Sequence, residues 1–282
     1  MLVVRRGGLG DTLLMLPVLA ALRREHLHGE LHLAGNLEFA AILQAFGAVE
    51  RARSSEALHG WALRLDDETG LRARGALAGH AAVVADDPAF AAAADLVPVR
   101  CFDPRPLRDD APLALQIGEQ LGLRVSLDDA ALRPRGGVVR DGPLVLAPGS
   151  GGRAKCWPRP AWEALARALA QGGRRLAVVA GPTELERDDP TRWSWPPGTA
   201  YLAGLTTVEL ATRLCAASAF VGNDSGPTHL AAVLGLPTVA IFGPSNAAVF
   251  APQGPRVQVL CGSRSAPPDV PVDLVLDALA RA

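Results

Sequence analysis

Short apolar runs alternate with longer amphipathic stretches along most of the chain, and this alternation limits the possible folds severely. The short runs are apolar at nearly every position, as in Leu144–Ala147 and Leu176–Ala180. A strand that is apolar on both faces must be covered on both faces, which is typical of parallel sheets enclosed by helices. The pattern therefore predicts an α/β protein with doubly wound parallel sheets.

The individual elements follow from the same pattern. Strands are predicted at 2–5, 31–34, 81–85, 97–102, 144–147, 176–180, 219–222, 238–242 and 257–260. Helices are predicted at 11–24, 37–46, 113–121, 161–170, 207–217, 227–234 and 272–281. Residues 51–80 follow neither periodicity closely, so their structure is left open.

A polar connector rich in proline, glycine and arginine divides the chain near its middle, at Arg133–Gly137 and Arg140–Pro143. We predict an N-terminal Rossmann-like domain over 1–138 and a second one over 139–262. A tail over 263–282 is expected to pack back on the first domain. Two doubly wound domains of this kind would face a ligand cleft at the carboxyl ends of their strands.

The composition excludes several classes of protein. Basic and acidic residues are balanced at 28 against 29, without the excess of a nucleic-acid binder. The apolar run 13–22 is shorter than the roughly 20 residues that span a bilayer, and Met1–Val4 leads into arginines rather than a signal-peptide core. The four cysteines have no disulfide or metal spacing. We therefore expect a cytoplasmic protein with no metal, no resident cofactor and no nucleic-acid partner.

A glycine-rich turn, Arg6–Thr12, follows the first predicted strand. Its glycines permit a tight turn, and the helix start after it presents free N–H groups. A dinucleotide site is one interpretation, but Leu13 stands where the fingerprint needs its third glycine, and no acidic residue closes the second strand. Asp11 either caps the helix or stands at the cleft as a base for a substrate hydroxyl.

A second glycine-rich loop, Ala147–Pro158, contains Ser150 and the single lysine of the chain, Lys155. Backbone N–H groups, a hydroxyl and a point charge can together enclose a diphosphate. The spacing is not that of a P-loop. The other interpretation is a surface loop with a solvated lysine.

Polar residues are densest in Val221–Leu230, where a predicted strand ends and a helix begins near Pro227. The N–H groups of that helix start would form a second anion site. Asp224 either caps the helix or contacts a ligand, and more polar residues are present than capping requires. Glu184, after another strand, either accepts hydrogen bonds from ribose hydroxyls or is simply an acid at a helix start.

Together these motifs resemble the heptosyltransferase-type glycosyltransferases of family 9. The resemblance is carried by Gly8–Asp11 followed by Pro17, by Ser150–Pro158, by Gly181–Glu184 and by Asn223–His229. It implies a GT-B fold and an inverting, metal-independent transfer of a sugar from a nucleotide-diphosphate donor. By resemblance the donor is commonly ADP-heptose and the acceptor lipopolysaccharide core, met by peripheral membrane contact at most.

The resemblance also implies roles for particular residues. Asp11 would be the general base, on an acceptor-side loop with Gly8 and Gly10. Ser150 and Lys155 would hold the diphosphate, and Glu184 would contact the nucleoside. Donor sugar and phosphates would lie against Asp224, Ser225, Gly226, Thr228 and His229. Two other functions remain open: a non-catalytic GT-B protein that binds a sugar nucleotide, and an NAD-dependent oxidoreductase.

Overall fold

A computed structural model describes residues 1–133, 141–263 and 267–281. The chain forms two compact units, Met1–Leu132 and Arg133–Ala282. Two units were predicted, but the predicted boundary after residue 138 lies outside the described residues. Each unit is an α/β structure built on one parallel sheet.

The first unit contains a five-stranded parallel sheet. Its strands are β1 (Leu2–Val4), β2 (His32–Gly35), β3 (Arg51–Ser54), β4 (Val83–Ala85) and β5 (Val99–Cys101). Its α-helices are α1 (Leu9–Leu13), α2 (Leu16–Glu25), α3 (Leu37–Ala45), α4 (Glu68–Ala78) and α5 (Leu113–Leu121). The strand order is β3-β2-β1-β4-β5. The direction of winding reverses between β1 and β4, and ligands of doubly wound sheets bind at the carboxyl ends of such strands.

The second unit contains a six-stranded parallel sheet. Its strands are β6 (Leu144–Ala147), β7 (Leu176–Ala180), β8 (Ala200–Ala203), β9 (Ala219–Asn223), β10 (Thr238–Phe242) and β11 (Val257–Cys261). Its α-helices are α6 (Arg159–Gln171), α7 (Pro182–Arg187), α8 (Thr207–Cys215), α9 (Gly226–Val233), α10 (Ala247–Phe250) and α11 (Val272–Arg281). The order β11-β10-β9-β6-β7-β8 places the reversal between β6 and β9.

The central strands are buried on both faces, as their uninterrupted apolar sequences require. Every residue of β1, β4, β6, β7 and β10 is buried. Helix α6 turns Trp162, Leu165 and Leu169 toward the sheet, at the three- and four-residue spacing of one helix face. Trp157 packs edge-on against Trp162, with ring centroids 5.2 Å apart.

The prediction of doubly wound parallel sheets is confirmed, with local differences. The short helices α7 and α10 were not predicted. The helix predicted at 11–24 is two helices, because Pro17 has no N–H and fits only the first turn of α2. The edge strand β3, Arg-Ala-Arg-Ser, was missed because it has no apolar run. The edge strand β8, Ala-Tyr-Leu-Ala, is apolar but partly exposed and was not predicted either. Helix α4 lies in the segment left open.

The final helix differs from expectation in its packing partner. Val275 and Ala278 are fully buried in the core of the second unit, where α11 contacts α6 and β10. The indole N–H of Trp157 donates to the carbonyl of Val270, at 2.9 Å, which fixes the segment before the helix. The buried face of α11 thus belongs to the second unit, whereas the sequence analysis expected it against the first domain. No helix within residues 1–133, 141–263 or 267–281 is long and apolar enough to cross a membrane.

Candidate active site

In the first unit, a network of charged groups lies where β1 and β4 end. The guanidinium of Arg5 donates from Nη1 to Asp86 Oδ2 at 3.2 Å and from Nη2 to Asp11 Oδ1 at 3.0 Å. The Arg5 and Asp86 side chains are 5% and 2% exposed, whereas that of Asp11 is 42% exposed. Asp11 is therefore the accessible carboxylate of an ion-pair network whose other carboxylate on Arg5, Asp86, is buried.

Asp11 also serves the helix start, as one interpretation of the sequence anticipated. It is the third residue of α1, and its Oδ2 accepts the N–H of the N-cap residue Gly8 at 2.9 Å. Gly10 lies inside the helix. The glycine that the turn requires is Gly7, because its φ is +132° and a Cβ there would lie 2.8 Å from Asp11 Oδ2.

In the second unit, three of the predicted donor-binding residues meet at the ends of β6 and β9. The ammonium of Lys155 donates to Asp224 Oδ2 at 2.7 Å. The hydroxyl of Ser150 donates to the backbone carbonyl of Asp224, also at 2.7 Å. Lys155 is 41% exposed and so retains access to a ligand while it is held by Asp224.

The carboxyl of Asp224 is strongly acidic although it is buried. Burial alone would raise its pKa, but polar contacts with His229, Lys155 and Ser245, together with the Lys155 charge, lower the pKa to about 2. The His229 imidazole contributes from a distance of 3.9 Å between Nε2 and Oδ1. Asp224 is therefore ionised at neutral pH.

At the start of α9, the predicted donor-binding residues Ser225, Gly226 and Thr228 lie in different environments. The N-cap residue is Ser225, whose side chain forms no capping bond, so Asp224 is not the cap. Gly226 is the first helical residue. Thr228, by contrast, is fully buried and donates its hydroxyl to the carbonyl of Asn223 at 2.6 Å. Thr228 thus holds the turn before α9, and its predicted contact with the donor stays a prediction.

The side chain of Glu184 lies against Gly149 of the glycine-rich loop Ala147–Pro158. It is the third residue of α7, and its Oε2 accepts the N–H of Gly181 at 3.0 Å, so it is an acid at a helix start. A Cβ on Gly149 would lie 2.3 Å from the Glu184 side chain, so the loop approaches this carboxylate very closely. Glu184, Gly149 and Ser150 line one pocket at the ends of β6 and β7.

Three residues of these networks were missed by the sequence analysis as site residues: Arg5, Asp86 and Asn223. Asn223 is fully buried; its Oδ1 accepts the N–H of Trp157 at 3.0 Å and its Nδ2 donates to the carbonyl of Pro148 at 2.6 Å. Asn223 thereby joins the loops after β6 and β9. The available signal was a polar residue placed directly at the carboxyl end of an apolar strand.

The described residues contain neither a cluster of metal ligands nor a disulfide bond. In the part of the chain that the structure describes, no group of three or more His, Cys, Asp and Glu side chains is arranged to hold a metal ion. Cys101, Cys156, Cys215 and Cys261 form no disulfide bond among the described residues. Burial raises the pKa of Cys156, which lines the pocket beside Ser150.

Comparison with known proteins identifies the family of the chain. The model of "Glycosyltransferase family 9 (heptosyltransferase)" matches residues 112–275, more than half of the chain. Lipopolysaccharide heptosyltransferase 1 of Pseudomonas aeruginosa is 34% identical over 121 residues, which are 43% of this chain and 34% of that protein. The chain thus matches about a third of the length of the curated relatives.

Solved structures extend the likeness to the whole fold. The Escherichia coli heptosyltransferase WaaC with ADP has a TM-score of 0.72 at 18% identity, over 99% of this chain and 98% of that one. A family 9 glycosyltransferase from Veillonella parvula has a TM-score of 0.76 at 18% identity, over 100% of this chain and 97% of that one. The two sheets share the GT-B architecture of these proteins. Together with the family-model match, this shows that the chain belongs to glycosyltransferase family 9.

Proposed function

We propose that this protein is an inverting, metal-independent glycosyltransferase that moves heptose from an ADP-linked donor to a cell-envelope glycan such as lipopolysaccharide core. The observation that carries the proposal is the Lys155–Asp224–Ser150 network at the ends of β6 and β9. It lies where doubly wound sheets bind nucleotides and within the part of the chain that matches the family model. Support for heptose and lipopolysaccharide comes from the names of the curated relatives, and support for ADP from the WaaC structure.

The donor diphosphate would be held at Lys155 and at the start of α9. The Lys155 ammonium has three donors, and Asp224 takes one of them. Ser225 and Gly226 begin a helix whose first turn favours negative charge. Ser150 positions the loop, His229 lies beside Asp224, and Glu184 would contact the nucleoside across Gly149.

The first unit would supply the base. Asp11 takes the proton of the acceptor hydroxyl as its oxygen attacks the anomeric carbon of the donor. The bond between that carbon and the diphosphate oxygen breaks, and its electron pair leaves with the nucleoside diphosphate. Lys155 and backbone N–H groups stabilise the departing charge, which is the part a metal ion plays in other enzymes.

The acceptor and its location belong to the same proposal. A lipopolysaccharide core acceptor would be met in the cytoplasm, through contact that is peripheral to the membrane. No nucleic acid is expected as a partner, because the chain has no basic excess.

Calorimetric titration with ADP, UDP, GDP and NAD, each with and without EDTA, tests the donor. We expect binding of ADP that EDTA does not change. Preference for UDP or GDP would replace the donor, and binding of NAD alone would overturn the proposal. Lys155→Ala should weaken ADP binding by about 1.5–3 kcal/mol, as for the loss of a charged hydrogen-bond partner, and unchanged affinity would remove Lys155 from the site.

Turnover of ADP-heptose with a truncated lipopolysaccharide core tests the reaction. The wild-type protein should transfer heptose, and Asp11→Asn should abolish transfer while ADP affinity stays unchanged. Transfer by Asp11→Asn at the wild-type rate would contradict the role of Asp11. Binding of ADP without any turnover would favour a non-catalytic sugar-nucleotide-binding protein.

A further inference from the structure

We propose that Arg5 is a positioning residue that fixes the Asp11 carboxylate for proton transfer, with Asp86 as its buried anchor. The inference rests on the proposed function, because it assumes that Asp11 is the base. It adds two residues that lie outside the matched residues 112–275 of the family model.

The geometry of Arg5 is that of a bridge between two carboxylates. Its Nη1 donates to Asp86 Oδ2 and to the carbonyl of Arg6, and its Nη2 donates to Asp11 Oδ1. A guanidinium is planar and its donors diverge at fixed angles. The position of Asp11 is therefore set by the position of Asp86.

Asp86 is itself firmly held. It follows β4 directly, its side chain is almost fully buried, and its Oδ2 also accepts the backbone N–H of Arg6 at 2.7 Å. Arg6 Nε lies 3.5 Å from the other oxygen, Oδ1. The anchor is thus tied to the neighbouring strands β1 and β4, which pair in the middle of the sheet.

Both oxygens of Asp11 are fixed from the protein side. Arg5 holds Oδ1 and the Gly8 N–H holds Oδ2. Each carboxylate oxygen has a second lone pair that remains for a substrate hydroxyl, and the side chain is accessible. A base held in one orientation contributes to rate because a misplacement of about 1 Å can cost about 10²-fold.

Stability alone is a poor reason for this arrangement. Taking an arginine and a carboxylate out of water costs several kcal/mol per ion, and apolar replacements of buried pairs are often neutral or stabilising. The accessible carboxylate of the network, Asp11, is also the one carboxylate in the glycine-rich turn Arg6–Thr12. Orientation of Asp11 accounts for both the burial of Arg5 and the exposure of Asp11.

The test compares Arg5→Met and Arg5→Lys with a matched control, Arg23→Met. Arg23 also bridges a carboxylate and a carbonyl, Glu50 Oε2 at 2.8 Å and Ala48 at 3.3 Å. It lies near the end of α2, and Glu50 directly precedes β3, so this bridge is at the amino ends of the strands, whereas the Arg5 network is at their carboxyl ends. The assay is heptose transfer from ADP-heptose to a truncated lipopolysaccharide core, with thermal unfolding measured on each variant.

We expect Arg5→Met to lower kcat about 10²-fold while KM for ADP-heptose and the Kd for ADP change less than about twofold, because the donor groups lie in the second unit. Arg5→Lys keeps the cation and should recover part of kcat. Arg23→Met should keep the wild-type kcat, and because the Arg23 side chain is 38% exposed it should lose less thermal stability than Arg5→Met.

Two results would overturn the inference: wild-type kcat in Arg5→Met, or equal losses of kcat in Arg5→Met and Arg23→Met that follow the loss of folded protein. These are distinguishable from failure of the proposed function. If Asp11→Asn is inactive and Arg5→Met is fully active, only the positioning role fails. If Asp11→Asn transfers heptose like the wild type, both fail.

Discussion

At the scale of single residues, Asp224 shows how a buried carboxylate can hold the cation of the proposed diphosphate site. Its pKa of about 2 means that Lys155 meets a full negative charge at neutral pH. The ammonium is therefore positioned before a ligand arrives, and a diphosphate has to share it rather than capture a freely moving side chain. Such preorganisation reduces the ordering cost of binding.

The same carboxylate should make stability depend on pH at the acid end. Its pKa is about 2 in the folded protein, against 3.8 for an unperturbed aspartate, so its stabilising effect is complete above about pH 5 and is lost as the pH falls toward 2. Asp224→Asn should be less stable than the wild type at pH 5. From the difference in pKa, the gap between their free energies of unfolding should shrink by about 2 kcal/mol between pH 5 and pH 2. Urea unfolding of both proteins over this range measures it, and a deficit that stays constant would contradict the ion pair.

At the scale of elements, both units use a glycine followed three residues later by an acid to begin a helix after a strand. Gly8 donates to Asp11, and Gly181 donates to Glu184. In each unit, the acid that accepts the N–H of the N-cap residue also lies near the carboxyl ends of the strands. One side chain thus combines capping with a candidate role in the site, so the two interpretations of the sequence are compatible.

Close packing of the glycine-rich loop on α7 leads to a second prediction. Gly149→Ala would place a Cβ 2.3 Å from the Glu184 side chain, so the loop or the carboxylate must move, at a cost of about 1–3 kcal/mol. Gly151→Ala is the matched control, because a Cβ there meets no atom within 4 Å.

Thermal unfolding and ADP titration of Gly149→Ala, Gly151→Ala and the double variant Gly149→Ala/Glu184→Ala check this prediction. Removing Glu184 should recover most of the stability that Gly149→Ala loses, because the clash is with that side chain. Equal losses for Gly149→Ala and Gly151→Ala would show that the loop does not pack closely on Glu184.

The sequence predicted the elements whose burial leaves a periodic signal, and of the four edge strands it predicted β5 and β11 but missed β3 and β8. Strand β7 is apolar throughout and was placed correctly, whereas β3 has the sequence Arg-Ala-Arg-Ser and is partly exposed. In the site, Lys155 and Asp224 were identified by their motifs, but their ion pair depends on the spatial approach of loops 69 residues apart. Arg5 was overlooked because an arginine at a strand end has no distinctive spacing.

At the scale of the whole molecule, the second unit depends on residues that follow its sheet in sequence. Helix α11 comes after β11 and still contributes Val275 and Ala278 to the core around α6 and β10. The two-unit division of the chain therefore includes this helix in the second unit. Loss of the helix would expose a core that also contains Trp157, two residues after Lys155 in the sequence.

Val275→Ala should therefore destabilise the second unit by about 2 kcal/mol, from two buried methyl groups and the cavity that they leave. The neighbouring variant Leu274→Ala is the control, since Leu274 is about half exposed. Hydrogen exchange should show faster opening in α6 and β10 of Val275→Ala and unchanged protection in β1 and α2. Faster exchange confined to residues 1–132 would instead assign the helix to the first unit.

The single lysine gives this protein an unusual property for chemical labelling. Lys155 is the only side chain of the sequence with a primary amine, and it is partly accessible beside Asp224. Within this sequence, Lys155 Nζ is therefore the one lysine target of an amine-directed acylating reagent. Peptide mass spectrometry after labelling with and without ADP would report occupancy of the proposed site at this one atom.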